Sequence, residues 1–114
     1  MAPECAIGIH VDICMQAVEH YSRALELDPQ LLTAQNNRAM CWLKLGRFQE
    51  ALKDCDSVLD ADPGNVKALL RRGTAKQALE QLAEAADDFR RITELQPNNK
   101  EAHTRLAAID MTPS

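Results

Sequence analysis

Apolar positions recur along most of this chain at the spacing of a helix. Between Leu31 and Leu45 they fall at Leu32, Ala39, Trp42, Leu43 and Leu45, and between Phe48 and Ala61 at Ala51, Leu52, Cys55, Val58 and Leu59. Both patterns place an apolar stripe on one side of a helix, and Gly46 between them supplies a C-terminal stop for the first. Asn65 to Leu79 reads as a further helix. Pro63 and Gly64 break what precedes it, and the Asn65 side chain can accept a hydrogen bond from a backbone N–H one turn on. Lys67 and Arg71 share one face of it with Thr74 close by, while Gly73 offers a flat spot for another helix to approach. Leu82 to Leu95 and Asn98 to Ile109 are read as helices in the same way, as is Asp12 to Leu27.

A repeat runs through this pattern. Pro29, Pro63 and Pro97 stand 34 residues apart. The residues before each agree: Ala24 to Asp28, Val58 to Asp62, Ile92 to Gln96. Twelve positions before each proline is a small residue (Ala17, Ala51, Ala85), and eight before it a bulkier or softer one (Tyr21, Cys55, Phe89). Ala39 and Gly73 also correspond. Small residues at Ala39, Ala51, Gly73 and Ala85 allow antiparallel helices to pack closely. Period and register resemble the tetratricopeptide repeat, a helix–turn–helix unit. The resemblance implies an all-α fold, a right-handed superhelix of antiparallel helix pairs with six helices at most. Residues 1–29 then form an incomplete first repeat, 30–63 the second, 64–97 the third and 98–110 a polar-faced capping helix. Residues 1–11 hold Pro3 and Gly8 and read as too short and too interrupted for the missing first helix. The face of Asp12 to Leu27 would then need a cover, which a second copy could provide. Met111 to Ser114 reads as a frayed tail. Trp42 falls where the repeat usually packs a tyrosine between helices, and is read as core.

Composition narrows the function. The chain has 114 residues, one domain's worth, with 46% hydrophobic but only 4% aromatic content, which suits Leu- and Ala-rich helices packed closely. Its formal charge of −4 argues against nucleic acid as a partner. No apolar run is long enough for a membrane span, and the first ten residues do not read as a signal peptide. Cys5, Cys14, Cys41 and Cys55 lack the spacing of a zinc or redox motif and read as reduced thiols of a cytoplasmic protein; His10, His20 and His103 read as surface or boundary residues. Neither a catalytic grouping nor a cofactor or metal site is legible, so the expectation is a non-enzymatic protein.

Stacking of helix pairs would line a concave face with the first helix of each repeat: Thr33, Asn36, Asn37 and Met40; then Lys67, Leu70, Arg71 and Thr74; then Glu101, Thr104, Arg105 and Ala108. The outer helix from Phe48 to Ala61 is acidic and reads as solvated. Lys67, Arg71, Arg72 and Lys76 concentrate positive charge toward the groove, where it can steer an acidic partner. Lys67 lies in a first helical turn, which the helix dipole disfavours by about 0.3–1 kcal/mol. A cation there, with free backbone amides and a second cation one turn later, suits a carboxylate, although a solvated basic face has the same pattern.

Here the resemblance extends to a clamp. Co-chaperones of the family hold the terminal carboxylates of heat-shock chaperone tails, ending Glu-Glu-Val-Asp, with Lys, Asn, Asn, Lys and Arg. Asn37 in N-N-R-A matches the Asn of the second repeat, and Lys67 and Arg71 in V-K-A-L-L-R-R match the Lys and Arg of the third. The first-repeat Lys and Asn have no counterpart: Pro3 stands one period before Asn37. The implied site is Asn37, Lys67 and Arg71 for the carboxylates, Arg105 as a further cation, and Met40, Leu70 and Thr74 beside the preceding side chain. Arg71 is expected on a wet face, where its loss would not affect the fold. The implied partner is a chaperone C-terminal peptide. The alternative is an assembly scaffold that takes another protein or itself through the groove or the incomplete N-terminal repeat.

Overall fold

A computed structural model describes the backbone of residues 2–110 and the side chains of residues 12–109. Six helices occupy the described residues: α1 (Ala2–Leu27), α2 (Leu32–Lys44), α3 (Phe48–Ala61), α4 (Val66–Ala78), α5 (Leu82–Leu95) and α6 (Lys100–Asp110). No strand occurs among them. Each helix packs on the next in sequence, and α2 also touches α4, so two helical hairpins stack side by side between α1 and α6.

The proline repeat reappears as a turn repeat. Leu31 N–H donates to Asp28 O, Asn65 N–H to Asp62 O and Asn99 N–H to Gln96 O, at 3.1, 3.0 and 3.0 Å. Each turn has proline second, where its fixed φ is pre-set for the bend. The residue ending the turn then precedes a helix. Asn65 and Asn99 cap theirs, accepting from Ala68 N–H at 2.9 Å and Ala102 N–H at 3.0 Å. Leu31 cannot do so, and α2 starts without a side-chain cap.

The turns inside the hairpins repeat too. Arg47 N–H reaches Trp42 O, and Gln81 N–H reaches Lys76 O, both at 2.8 Å. Each requires a left-handed residue: Gly46 at φ 75° in the first hairpin, Glu80 at φ 64° in the second. Glycine adopts that conformation freely; glutamate does so at a cost in steric strain.

The apolar core gathers Val58 and Leu59 of α3, Ala68 and Leu69 of α4, Ala85, Phe89 and Ile92 of α5, and Ala102 of α6. Gly73 is where α4 and α5 meet. A Cβ built there would lie 2.6 Å from Phe89 Cε1, so the missing methyl is the space the ring occupies. The expectation of close approach at Gly73 is met.

The expectation for the N-terminal segment is not. Residues 2–27 form one continuous helix, not an irregular stretch followed by a separate one. Pro3 is the second residue of α1, within the first turn, where its missing N–H removes no intrahelical bond. Gly8 lies inside and costs about 0.5–1 kcal/mol relative to alanine, a penalty the docking of α1 on α2 can absorb. Cys14 and Val18 of α1 are buried, whereas Ile13 and Met15 remain 57% and 46% exposed. The reading of Met111 to Ser114, and of the Cys5 and His10 side chains, lies outside the described residues.

Candidate functional site

Hydrogen bonding sorts the arginines of the two hairpins into different roles. Arg38 of α2 donates through Nε and Nη2 to Oδ2 and Oδ1 of Asp54 on α3, at 2.7 and 2.6 Å. One period on, Arg72 of α4 donates through Nε and Nη2 to Oδ2 and Oδ1 of Asp88 on α5, at 3.0 and 2.8 Å. These are side-on, bidentate pairs, each built on a nearly buried carboxylate and holding the two helices of a hairpin together. The hydrogen bonds hold both guanidinium pKa values above their ordinary range.

Neighbouring groups complete each pair. Trp42 donates Nε1–H to Asp54 at 3.1 Å; at the corresponding position Lys76 places Nζ 3.6 Å from Asp88 and from Glu84. Arg72 also reaches Asp56 at 2.9 Å. Several expectations are corrected here. Asp54 on the outer helix is buried and paired, not solvated. Arg72 and Lys76 are neutralised by acids of α3 and α5 and do not charge the groove. Trp42 is only partly buried and belongs to this polar arrangement, not to the apolar core.

Arg71 differs from both. Its Nη1 donates to the main-chain O of Asn36 at 2.7 Å and to Asn36 Oδ1 at 2.8 Å. Its Nε and Nη2, the edge that takes an aspartate in Arg38 and Arg72, have no partner among the described residues. Burial lowers its pKa from the ordinary value, the direction expected of a desolvated cation without a neutralising acid. Arg71 is therefore half-buried and structurally engaged, not the wholly wet residue of the sequence reading.

All seven residues singled out from sequence border two adjoining hollows. Asn37, Lys67 and Arg71 line one of about 640 Å³, together with Leu32, Thr33, Asn36, Asn65 and Gln96. Met40, Leu70, Thr74 and Arg105 line the second, of about 340 Å³, and Lys67 and Arg71 border both. Leu43, Lys44 and Glu101 complete the second hollow. Lys67 is exposed, and no acid pairs with it among the described residues. Arg105 is not a free cation: it reaches Glu101 Oε2 and Gln77 Oε1, both at 3.3 Å, and lies 6.0 Å over the Phe89 ring. The Thr74 hydroxyl donates to Leu70 O at 2.7 Å within its own helix.

The sequence reading placed Asn36 on the concave face but missed its role. It is 6% exposed, accepts from Arg71 and donates Nδ2–H to Asn65 Oδ1 at 3.1 Å. The only signal was its place beside Asn37, which says nothing about contacts 29 and 35 residues away.

Among the described residues, no group of three or more His, Cys, Asp or Glu is placed to hold a metal ion. No helix among them is long and apolar enough to cross a membrane. Cys14, Cys41 and Cys55 are free thiols, and burial pushes the Cys55 thiol up to about 12.

Known proteins resemble this chain in sequence and in fold. Mouse sperm-associated antigen 1 is 43% identical over 95 residues, covering 83% of this chain and 10% of that protein. Human RNA polymerase II-associated protein 3 is 40% identical over 94 residues, covering 82% of this chain and 14% of that protein. The chain thus spans a small part of both. Among solved structures, the second TPR domain of human RPAP3, in complex with the HSP70 peptide SGPTIEEVD, superposes with a TM-score of 0.82 at 38% identity; the match covers 87% of this chain and 82% of that one. The first TPR of Spaghetti (RPAP3), bound to the HSP90 peptide SRMEEVD, gives 0.84 at 34% identity, over 87% and 79%. Sequence profiles described as tetratricopeptide repeat match residues 14–66 and 43–109. With the turns, ion pairs and helix contacts recurring at the same period, the chain belongs to the tetratricopeptide repeat family.

Proposed function

We propose that the groove binds the free C-terminus of an acidic peptide, the tail of a heat-shock chaperone, and that the chain is a non-enzymatic adaptor module of the cytoplasm. The observation that carries this reading is the open Nε/Nη2 edge of Arg71. In the same helices that edge of Arg38 and of Arg72 takes a carboxylate of the protein itself. Arg71 lines a groove it shares with exposed Lys67 and with Asn37, and in this reading its open edge faces that groove. A terminal carboxylate fits such a fork bidentately, Lys67 adds a point charge and Asn37 an amide donor. Met40, Leu70 and Thr74 in the adjoining hollow would meet the side chain before the terminus. Arg105, bound to Glu101, takes a lesser part than a free cation would. The RPAP3 domains that superpose on this chain carry chaperone peptides ending in Val-Asp, which supports the same ligand class.

In this reading residues 1–29 act as an incomplete first repeat, so the clamp works with two of its usual five groups missing. Exposed Ile13 and Met15 on α1 favour a second, compatible reading, contact with another protein or copy at that end. Sedimentation across a concentration series tests it, and a monomer throughout removes self-association.

Calorimetry with a peptide ending Glu-Glu-Val-Asp, free and amidated, tests the clamp. Arg71→Ala is expected to cost about 1.5–3 kcal/mol of binding to the free peptide, the range for a charge-assisted hydrogen bond. Lys67→Ala is expected to cost as much or less, since its head is more solvated. Equal affinity of wild type for the free and amidated peptides would overturn the proposal.

A further inference from the structure

Asn36 decides what Arg71 can bind. Four polar groups form a chain across α2 and α4. Asp62 Oδ2 accepts from Asn65 Nδ2 at 3.3 Å, Asn65 Oδ1 accepts from Asn36 Nδ2 at 3.1 Å, and Asn36 Oδ1 accepts from Arg71 Nη1 at 2.8 Å. Asn65 Oδ1 is also the cap of α4, accepting from Ala68 N–H, so it cannot turn away without uncapping the helix. The Asn36 amide is locked in turn: flipping it would set its NH2 against the Arg71 guanidinium and its oxygen against Asn65 Oδ1. Asn36 is nearly buried and leaves no unsatisfied side-chain atom. Its oxygen is a permanent acceptor for Nη1, and with the main-chain oxygen it uses both hydrogens of that nitrogen.

The acceptor is neutral, and that sets Arg71 apart. The other arginines of these helices, Arg38 and Arg72, are oriented by aspartates that cancel their charge.

We infer that Asn36 is a positioning and specificity-determining residue: it orients Arg71 through an uncharged acceptor, and so keeps the arginine's charge and its Nε/Nη2 edge for the carboxylate of a ligand. This rests on the groove reading above. An aspartate at position 36 would still accept from Arg71 Nη1, though at the loss of the bond to Asn65 Oδ1, and would abolish the site, because the protein would then supply the anion the ligand should bring. Burial sharpens the contrast, since the charge of a half-buried guanidinium is poorly screened by water.

The experiment measures binding of a Glu-Glu-Val-Asp peptide, free and amidated, to the wild-type chain, Asn36→Asp and Asn36→Ala, with a thermal melt of each. In wild type the free peptide binds more tightly than the amidated one. Asn36→Asp is expected to weaken the free peptide by about tenfold or more, the scale of one lost charge-assisted hydrogen bond, and to bring the free-to-amidated ratio close to one. Asn36→Ala keeps the main-chain acceptor and adds no charge, so it should retain most of the ratio. A wild-type ratio that survives in Asn36→Asp overturns the inference while leaving the groove reading intact. Equal loss of the ratio in both variants, in step with their melting temperatures, assigns Asn36 a merely structural role and also overturns it. A wild-type ratio of one removes the groove reading itself. Should Asn36→Asp fail to fold, NMR of the Arg71 guanidinium decides. Both Nη1 protons are expected to be exchange-protected in peptide-free wild type and only one of them in Asn36→Ala, where the main-chain oxygen remains as acceptor, and free exchange in wild type would refute the positioning.

Discussion

In the hairpin α4–α5 the ring of Phe89 lies in the space left by Gly73. In α2–α3, one period earlier, the same two positions hold Cys55 and Ala39, and all four residues are buried. The two hairpins share a backbone, with the same turns and bidentate Arg–Asp pair, but divide the interior volume differently. One concentrates it in a single ring against a bare backbone; the other spreads it over two small side chains. The groove positions diverge further: Asn37 in the first hairpin corresponds to Arg71 in the second, and Asn36 to Leu70. The scaffold tolerates this because each hairpin needs only a filled interior and a neutralised Arg–Asp pair. The face between those requirements is free to carry function.

Emptying the larger interior should show the contrast most strongly. Phe89→Ala is expected to cost about 3–5 kcal/mol in urea unfolding, against roughly 1 kcal/mol for Cys55→Ala, since a ring leaves a cavity and a thiol almost none. Similar losses at the two sites would mean that the hairpins are packed alike.

The ion pairs come next. Asp54→Ala strips Arg38 of the only acid it pairs with among the described residues and Trp42 of its acceptor, and should cost about 2–3 kcal/mol. Asp88→Ala should cost less, because Arg72 keeps Asp56. Chemical denaturation of the two variants side by side reads the order.

Gly73→Ala pushes a methyl into the Phe89 ring. Overpacking of about 1–3 kcal/mol is offset by about 1 kcal/mol of helix propensity, for a small net loss. The same change made together with Phe89→Cys should be less harmful than the sum of the two, since it transplants the first hairpin's solution, and a double-mutant cycle measures that coupling. Additive losses would break the idea that the pair acts as a unit.

The smallest effect is expected at the inner turns. Glu80→Gly relieves a left-handed residue at φ 64° and should stabilise by about 0.5 kcal/mol after the entropy cost of glycine. Gly46→Ala in the other hairpin should destabilise. A melt of each variant checks the opposite signs.

Local chemistry and periodicity were enough to place α2 to α6. Proline at 29, 63 and 97, Asn65 as a cap and the apolar stripes read directly into the turns and into α3 and α5, because capping and burial of a stripe act within one or two helical turns. The groove residues were legible for the same reason: once the period is known, the residues facing one way follow from helical geometry. The tertiary structure alone decided which charges remain available. Arg71 and Arg72 are adjacent and chemically identical, yet Arg72 turns to Asp88 and Asp56 while Arg71 meets an amide across the stack. Nothing in the spacing of charges distinguishes them, since each partner lies 16 or 35 residues away and is reached only when the helices pack. The continuity of α1 through Pro3 and Gly8 is of the same kind. Helix propensity argues for a break, and contact with a neighbouring helix, which no local rule contains, favours the unbroken helix.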